Sequence, residues 1–514
     1  MKYSISLARA KKTAAAWDEA TSLSDAIKRS GYSNQDARNN NRVRRATEEM
    51  LGIKLTAHND KNSTHDEIEC PSTLDIRAAR KCKDFVITSL TNNSPLIKPF
   101  LFALKKFIEA RNGQLLVIPV RYQNPNAVHS TKGYFWDDTI YPYALTKDLN
   151  LGRNLVVSAV RLNATSVNPL SGKQALGGQK SVIYGHPQLA MELVGTPKDE
   201  TPKVMMTTGS CNKARYSSSD RGGKAYFYHT AYAVYVKRVG SKFHHTQLGW
   251  DGSGFHYLDE YWTEDGVSEG HADIVHGDSH VSHEMPKITQ SKLRLLDKIK
   301  PVTQVWHDLH NQEIGSHHAT LRERIEQALI GKVSVEKEVR LSIDYIERLG
   351  LGTENLIVGS NHNDHLDQWY AKYRPERDPY NAKFHGWLGY KMLGTGNAAL
   401  ETCFEEWGCT VHYKFLSRNT RHSLHGNDIS QHGDKGQNGS RGSAKGLAKT
   451  QNKTIIGHSH TPCIEKGCWQ MGTSTDRMEY AQGYSTWMIT DCLVYPNGKR
   501  ALINHIDGKT LADY

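Results

Sequence analysis

Beyond residue 270 of this 514-residue chain one arrangement recurs four times: a short apolar run stops abruptly at residue types that ligate metals. Ala272-Asp273-Ile274-Val275 leads to Gly277-Asp278-Ser279-His280, and Val302-Thr303-Gln304-Val305-Trp306 leads to His307-Asp308-Leu309-His310. Asn355-Leu356-Ile357-Val358 leads to Gly359-Ser360-Asn361-His362-Asn363-Asp364, and Lys453-Thr454-Ile455-Ile456 leads to Gly457-His458-Ser459-His460. Such runs read as buried strands, and strands with helices between them bring their C-terminal ends to one sheet edge, where α/β proteins place ligands. The expectation is one pocket fed by four strand ends. Both ligands of each D-x-H or H-x-H triplet would point to the same side of an extended chain.

That mixture of ligands suits a pair of cations. A carboxylate between them offsets their repulsion, while imidazole and amide oxygen fill each shell without surplus negative charge. Two ions about 3.5–4 Å apart acidify a shared water and clamp the oxygens of an in-line phosphoryl displacement. Oxygen and nitrogen ligands without cysteine suit Mn²⁺ best, with Mg²⁺, Fe or Zn²⁺ as alternatives.

Composition narrows the class. With 38% hydrophobic and 23% charged residues the chain can bury real cores, which excludes a disordered tail. No run approaches the roughly 18 apolar residues of a membrane span, so no membrane partner is expected. The N-terminal stretch lacks the apolar core of a secretion signal. Eight cysteines without regular spacing read as reduced thiols in a cytoplasm, the host cell's if the chain is phage-encoded. The 65 Lys+Arg outnumber 54 Asp+Glu, giving a net charge of +11 that favours polyanionic partners.

The chain divides into four segments. Residues 1–55 form a basic helical module: Leu23 to Arg29 reads as a helix stopped by Gly31, and a second helix runs from Asp36 to Leu51. This outline fits a helix-turn-helix, with Arg42, Arg44 and Arg45 as candidate DNA contacts. Residues 56–80 are polar and aperiodic, a linker. Residues 81–265 form an α/β region of unassigned role, with strands at Phe85–Thr88, Gln114–Val120, Leu155–Val160, Val204–Thr207 and Tyr226–Val236. Its pair His244-His245 reads as a surface feature. Residues 266–514 hold the ligand-bearing runs, and no internal repeat is apparent.

The series Asp278-Ser279-His280, Asp308, Asn361-His362, His432-Gly433 and Gly457-His458-Ser459-His460 resembles the calcineurin-like metallophosphoesterase superfamily over about residues 270–490. Within it the chain most resembles the pre-early nucleases with which T5-like bacteriophages degrade host DNA. The resemblance implies an α/β chain whose C-terminal half is a metallophosphoesterase-type β-sandwich flanked by helices. It implies that Asp278, His280 and His460 hold one ion, that Asn361, His432 and His458 hold a second, and that Asp308 bridges them. His362 would steady the transition state or protonate the leaving oxygen. The chain departs from the pattern in three places. His307 stands where the family has glycine; Asn363 separates His362 from Asp364; and Leu424-His425-Gly426 competes with Gln431-His432-Gly433 for the fourth motif. His432 is favoured because the polar loop after it carries Lys435 and Arg441, candidate contacts for a substrate backbone.

The function expected is a metal-dependent DNase with a dinuclear centre, acting on DNA and compatible with a homo-oligomer. The alternatives are a phosphomonoesterase or protein phosphatase, and a DNA-binding regulator with a non-catalytic phosphoesterase scaffold.

Overall fold

The computed structural model describes residues 6–17, 23–31, 40–53, 55, 70–122, 135–197, 200–314, 321–331, 333–476, 478 and 481–514. The chain divides into two compact units, Met1–Glu69 and Cys70–Tyr514. In the first, helices α1 (Leu7–Trp17), α2 (Leu23–Arg29) and α3 (Asn40–Leu51) pack together. Val43, Thr47 and Leu51 recur every four residues on α3, the spacing of a helix face turned to a core, and Val43 meets Ala10 and Ile27 there. The sequence reading missed α1. The expected turn between α2 and α3, residues 32–39, lies outside the described residues, as do residues 56–69 of the expected linker.

The second unit is mixed α/β. Its first part runs β1 (Asp84–Thr91), α4 (Lys98–Glu109), β2 (Gln114–Val120), β3 (Leu149–Asn150), β4 (Leu155–Ser158), β5 (Ser181–Tyr184), β6 (Met191–Val194), β7 (Lys203–Thr207), α5 (Asp220–Tyr228), β8 (Tyr232–Val239) and β9 (Lys242–Gly249). Three short strands, β10 (Phe255–Tyr257), β11 (Glu260–Trp262) and β12 (Val267–Glu269), form a small antiparallel sheet. The chain continues through β13 (Asp273–Val275), α6 (Pro286–Ile299), β14 (Thr303–Trp306), α7 (Leu321–Leu329), α8 (Val335–Leu349) and β15 (Glu354–Val358). Then come α9 (His365–Lys372), α10 (Ala382–Thr395), α11 (Ala399–Glu406), β16 (Tyr413–Leu416), β17 (Ser423–Leu424), β18 (Asn427–Asp428) and β19 (Thr454–Ile456). β20 (Cys463–Glu465), β21 (Cys468–Gln470), β22 (Thr490–Val494) and β23 (Arg500–Asn504) complete it.

These strands form two facing layers. One is a six-stranded sheet, β16-β15-β14-β13-β22-β23, whose edge strand β23 abuts β9 of a four-stranded sheet, β2-β1-β8-β9. The other is a ten-stranded sheet, β17-β18-β19-β21-β20-β6-β7-β5-β4-β3. Residues 81–265 and 266–514 therefore share sheets. Alternation along each strand divides the side chains: Val275, Val305 and Cys492 enter the core between the layers with Ile455 and Trp469, while Ile274, Trp306 and Leu493 meet Leu295, Val339 and Phe404 from the helices outside.

Several readings need correction. Tyr226 to Tyr228 end helix α5 rather than begin a strand, because Ser219 caps that helix by accepting from Gly222 N at 3.1 Å. His244 and His245 are buried, 1% and 0% exposed, on a strand enclosed between β8 and β23. The fourth ligand-bearing run, β19, belongs to the facing sheet, so the four strand ends do not line one edge of one sheet. Among the described residues no helix is long and apolar enough to cross a membrane.

A buried charge network ties α6 to the loop after β13. Lys292 Nζ lies 2.6 Å from Asp491 Oδ1, which also accepts from Gly277 N at 2.8 Å, and His505 Nε2 is 2.9 Å from Asp491 Oδ2. Burial would raise the Asp491 pKa, but Lys292, His276 and His505 together outweigh it and hold the carboxyl well below the usual range. Lys292→Met should leave that carboxylate buried without its cation and cost about 3–5 kcal/mol. A urea midpoint unchanged from wild type would show that the pair is not what holds this loop.

Candidate metal centre

Three strands of one layer and two of the other aim their following loops at the same point. β13 supplies Asp278 and His280, β14 supplies His307 and Asp308, and β15 supplies Asn361 and His362; from the facing sheet β18 leads to His432 and β19 to His458 and His460. Ligand atoms of Asp278, His280, Asp308 and His460 all lie within 4.8 Å of one another, as do those of Asp278, His307 and His432.

The geometry is close. His460 Nε2 lies 3.2 Å from Asp278 Oδ2 and 2.9 Å from His280 Nε2. Asp308 Oδ2 is 3.1 Å from His432 Nε2 and 3.6 Å from His280 Nε2. His458 joins through its backbone N–H, which donates to Asp278 Oδ2 at 2.7 Å. Its ring lies 5.2 Å from that of His432. Gly457 permits this approach, since a Cβ there would fall 2.1 Å from Asp278 Oδ1.

The loops are not extended, as the sequence had suggested. His280, Asp308, His458 and His460 have φ of 42°, 42°, 74° and 58°, in the left-handed region that few non-glycine residues occupy. Strain repeated at four converging residues is a mark of a functional site. These left-handed residues lie within five positions of the ends of β13, β14 and β19, where the chain turns.

A cation fits this donor set. Asp278 Oδ1, both oxygens of Asp308, Asn361 Oδ1 and His460 Nδ1 are buried without a hydrogen bond of good geometry, a costly state for carboxylates in particular. His432 offsets part of that charge. Burial alone would push its pKa down, but Asp308 and Asp278 outweigh it and hold it up at about 9. His307 is pushed the other way, down to about 3, first by burial and then by His432, whose Nδ1 lies 3.2 Å from its own. Asp308 is held well below the usual carboxylate range: burial opposes this, and His432 and His362 prevail.

His362 lines a cavity of about 570 Å³ together with Arg441, Ser443, His458, His460 and Trp487. Its Nδ1 donates to Asn311 O at 3.1 Å, which leaves Nε2 for a substrate. Asp364, next in line to orient it by the family pattern, instead pairs with Arg418 at 2.9 Å, and Arg418 also holds Asp434 at 3.1 Å. Asn311 escaped the sequence reading, although it serves twice: its Oδ1 is 2.9 Å from His280 Nδ1. The signal was a buried amide three residues after Asp308. Trp487 was also missed; its ring stands 4.0 Å from that of His460.

The remaining candidates lie elsewhere. His425 is apart from the cluster, with Nε2 2.7 Å from Asp273 Oδ2 at the opposite end of β13. Lys435 is exposed and bridges through its backbone to Arg441. In the first unit Arg44 is engaged internally, donating to Glu48 Oε1 at 3.2 Å and Leu55 O at 2.5 Å, whereas Arg45 is exposed. The side chain of Arg42 is outside the described residues.

No family model matches the chain. A curated relative, Protein A1 of Escherichia phage T5, is 27% identical over 485 residues, 86% of this chain and 85% of its own length. A solved chitobiase from Flavobacterium johnsoniae matches 55% of this chain and 49% of its own at 12% identity and a TM-score of 0.17, too low to inform the fold.

The raised pKa of His432 predicts a pH dependence. Protonated His432 contributes stability that is complete below about pH 6.5, its unfolded value, and is lost as pH rises through about 9. A ligating imidazole must be neutral, so metal affinity should climb about tenfold per pH unit across that window. Calorimetry in two buffers of different ionisation heat should read about one proton released per chain at pH 7; an affinity flat from pH 6.5 to 9 would remove His432 from the ligand set.

Proposed function

We propose that this chain is a metal-dependent DNase of metallophosphoesterase type, phage-encoded and acting on host DNA. The observation that carries this reading is the buried pair Asp278 and Asp308 with His280, His432 and His460 around them, His460 also lining a cavity of about 570 Å³. Asp278, His280 and His460 would hold one divalent ion, Asn361, His432 and His458 a second, with Asp308 shared; Mn²⁺ suits the set best. Such ions supply Lewis acidity, lowering the pKa of water and stabilising charge on phosphoryl oxygens.

The protein's own groups do the rest. Arg441 at the cavity wall can pair with a phosphate oxygen and fix the scissile group. His362, held through Nδ1 by the Asn311 carbonyl, presents Nε2 to the leaving oxygen and donates a proton there. DNA as the polyanion is supported by the +11 charge and the basic residues of the N-terminal helical unit. The phage T5 relative supports phage origin.

Incubating linear and circular DNA with Mn²⁺, Mg²⁺ or chelator tests the reading directly. Asp308→Ala should abolish hydrolysis with the fold retained. His362→Ala should keep its ions and lose turnover by roughly 10²–10⁴-fold, the usual worth of a general acid. DNA affinity should fall steeply with salt, because counterions are released on binding. Hydrolysis of p-nitrophenyl phosphate with no cleavage of DNA would replace this reading with that of a phosphomonoesterase.

A further inference from the structure

Strand for strand, residues 84–249 repeat the layout of residues 273–504. β1 pairs parallel with β2 and antiparallel with β8, which returns as β9. β13 pairs parallel with β14 and antiparallel with β22, which returns as β23. Read outward from its centre, the ten-stranded sheet runs β6-β7-β5-β4-β3 one way and β20-β21-β19-β18-β17 the other. The pairings follow the same series on both sides: antiparallel, parallel, parallel, antiparallel. At the centre Met191 bridges Ile464 antiparallel, which places a twofold axis through the sheet between them. In the other layer β9 and β23 meet across the same axis, where Gln247 Oε1 accepts from Leu502 N at 2.7 Å.

The residues fall into register. Ile183 pairs with Met206 as Ile455 pairs with Trp469. Continuing from each, Ile183-Tyr184-Gly185-His186-Pro187-Gln188 lies over Ile455-Ile456-Gly457-His458-Ser459-His460, and Gly209 over Gly472. Cys211 N donates to Ser89 O at 2.8 Å just as Ser474 N donates to Asp278 O at 2.8 Å, so Ser89 stands in the place of Asp278. The pairs Ile87 with Leu116 and Val275 with Val305 set Pro119 at Asp308. The pairs Val156 with Val182 and Asp428 with Thr454 set Val160 at His432, and Gln188 stands at His460. β15 and β16 have no counterpart, so neither do Asn361 and His362. Of the ligand set His186 alone persists, at the place of His458. It is buried, its pKa pushed down to about 4 by that burial, and its Nδ1 accepts from Gln188 N at 3.0 Å.

We propose that residues 84–249 are a second copy of the fold that carries the metal cluster, emptied of its ligands, which serves the ligand-bearing copy as an internal dimer partner. Its function is to continue the ten-stranded sheet past β20 and to cover the edge strand β23 with β9. Without it β20 and β23 would present open edges, and a twofold interface uses the same patch on both halves, as Met191 and Ile464 do here. The axis reverses strand direction, so the emptied site faces the edge opposite the metal centre. The first copy binds no ion.

Hydrogen exchange on the full chain without added metal tests this. Leu155 is buried on β4, four strands out from the centre on the first copy's side. Leu155→Val should speed its slowest amides about fivefold, for one lost methylene, and Leu155→Ala by about thirtyfold or more. If the copies form one cooperative unit, the slowest amides of β13, β14 and β22 accelerate by the same factor. Acceleration confined to residues 84–249 overturns the proposal, and the milder variant gives the answer if the alanine variant fails to fold. A metal count on the Asp278→Ala/Asp308→Ala double variant should find no tightly bound Mn²⁺; an ion retained there would put a working site in the first copy and overturn its emptied state.

Discussion

Two carboxylates that water cannot reach, Asp278 and Asp308, govern this molecule. Like charges buried side by side repel strongly at low effective dielectric, and each also lacks its hydration. The chain answers a similar problem differently a few ångströms away. Asp491 has a dedicated Lys292 and two further donors, so its charge is settled within the protein. Among the described residues Asp278 and Asp308 receive no lysine or arginine; apart from the His458 backbone N–H they face imidazoles, of which His432 takes up a proton. A site surrounded by groups that surrender protons readily is arranged for an exchangeable positive charge rather than a permanent one. The left-handed turns at His280, Asp308, His458 and His460, and the bare Gly457, are the backbone cost of bringing those groups together.

How much of this could be read from the sequence follows from the range of the interactions. The strands β13, β14, β15 and β19, and the ligand types after them, were legible because each is a local pattern of a few residues. The sheet to which β19 belongs was not, since it depends on the pairing of Thr454 with Cys468 and of Asp428 with Thr454. The choice between His425 and His432 was equally nonlocal: both precede glycine, and only the path of β18 sends one to Asp308 and leaves the other beside Asp273. Lys292 gave no sign of burial, because its partner lies 199 residues away. His244-His245 misled for the same reason, its cover being supplied by β23 from the far end of the chain. Tyr226 to Tyr228 has the composition of a strand, and the cap at Ser219 overrode it.

The repeat was hidden by the physics that makes the centre conspicuous. A copy that no longer holds a cation cannot keep two buried carboxylates, since their charge would go uncompensated. The places of Asp278, Asp308, His432 and His460 are accordingly taken by Ser89, Pro119, Val160 and Gln188, residues that carry no charge into the interior. Glycines are governed by contact rather than charge and persist: a Cβ on Gly185 would fall 2.5 Å from Ile118, as one on Gly457 would meet Asp278. The two copies thus diverge most where chemistry was concentrated and agree where chains pass closely. Sequence comparison weighs the first kind of position heavily, whereas strand order and pairing sense retain the second.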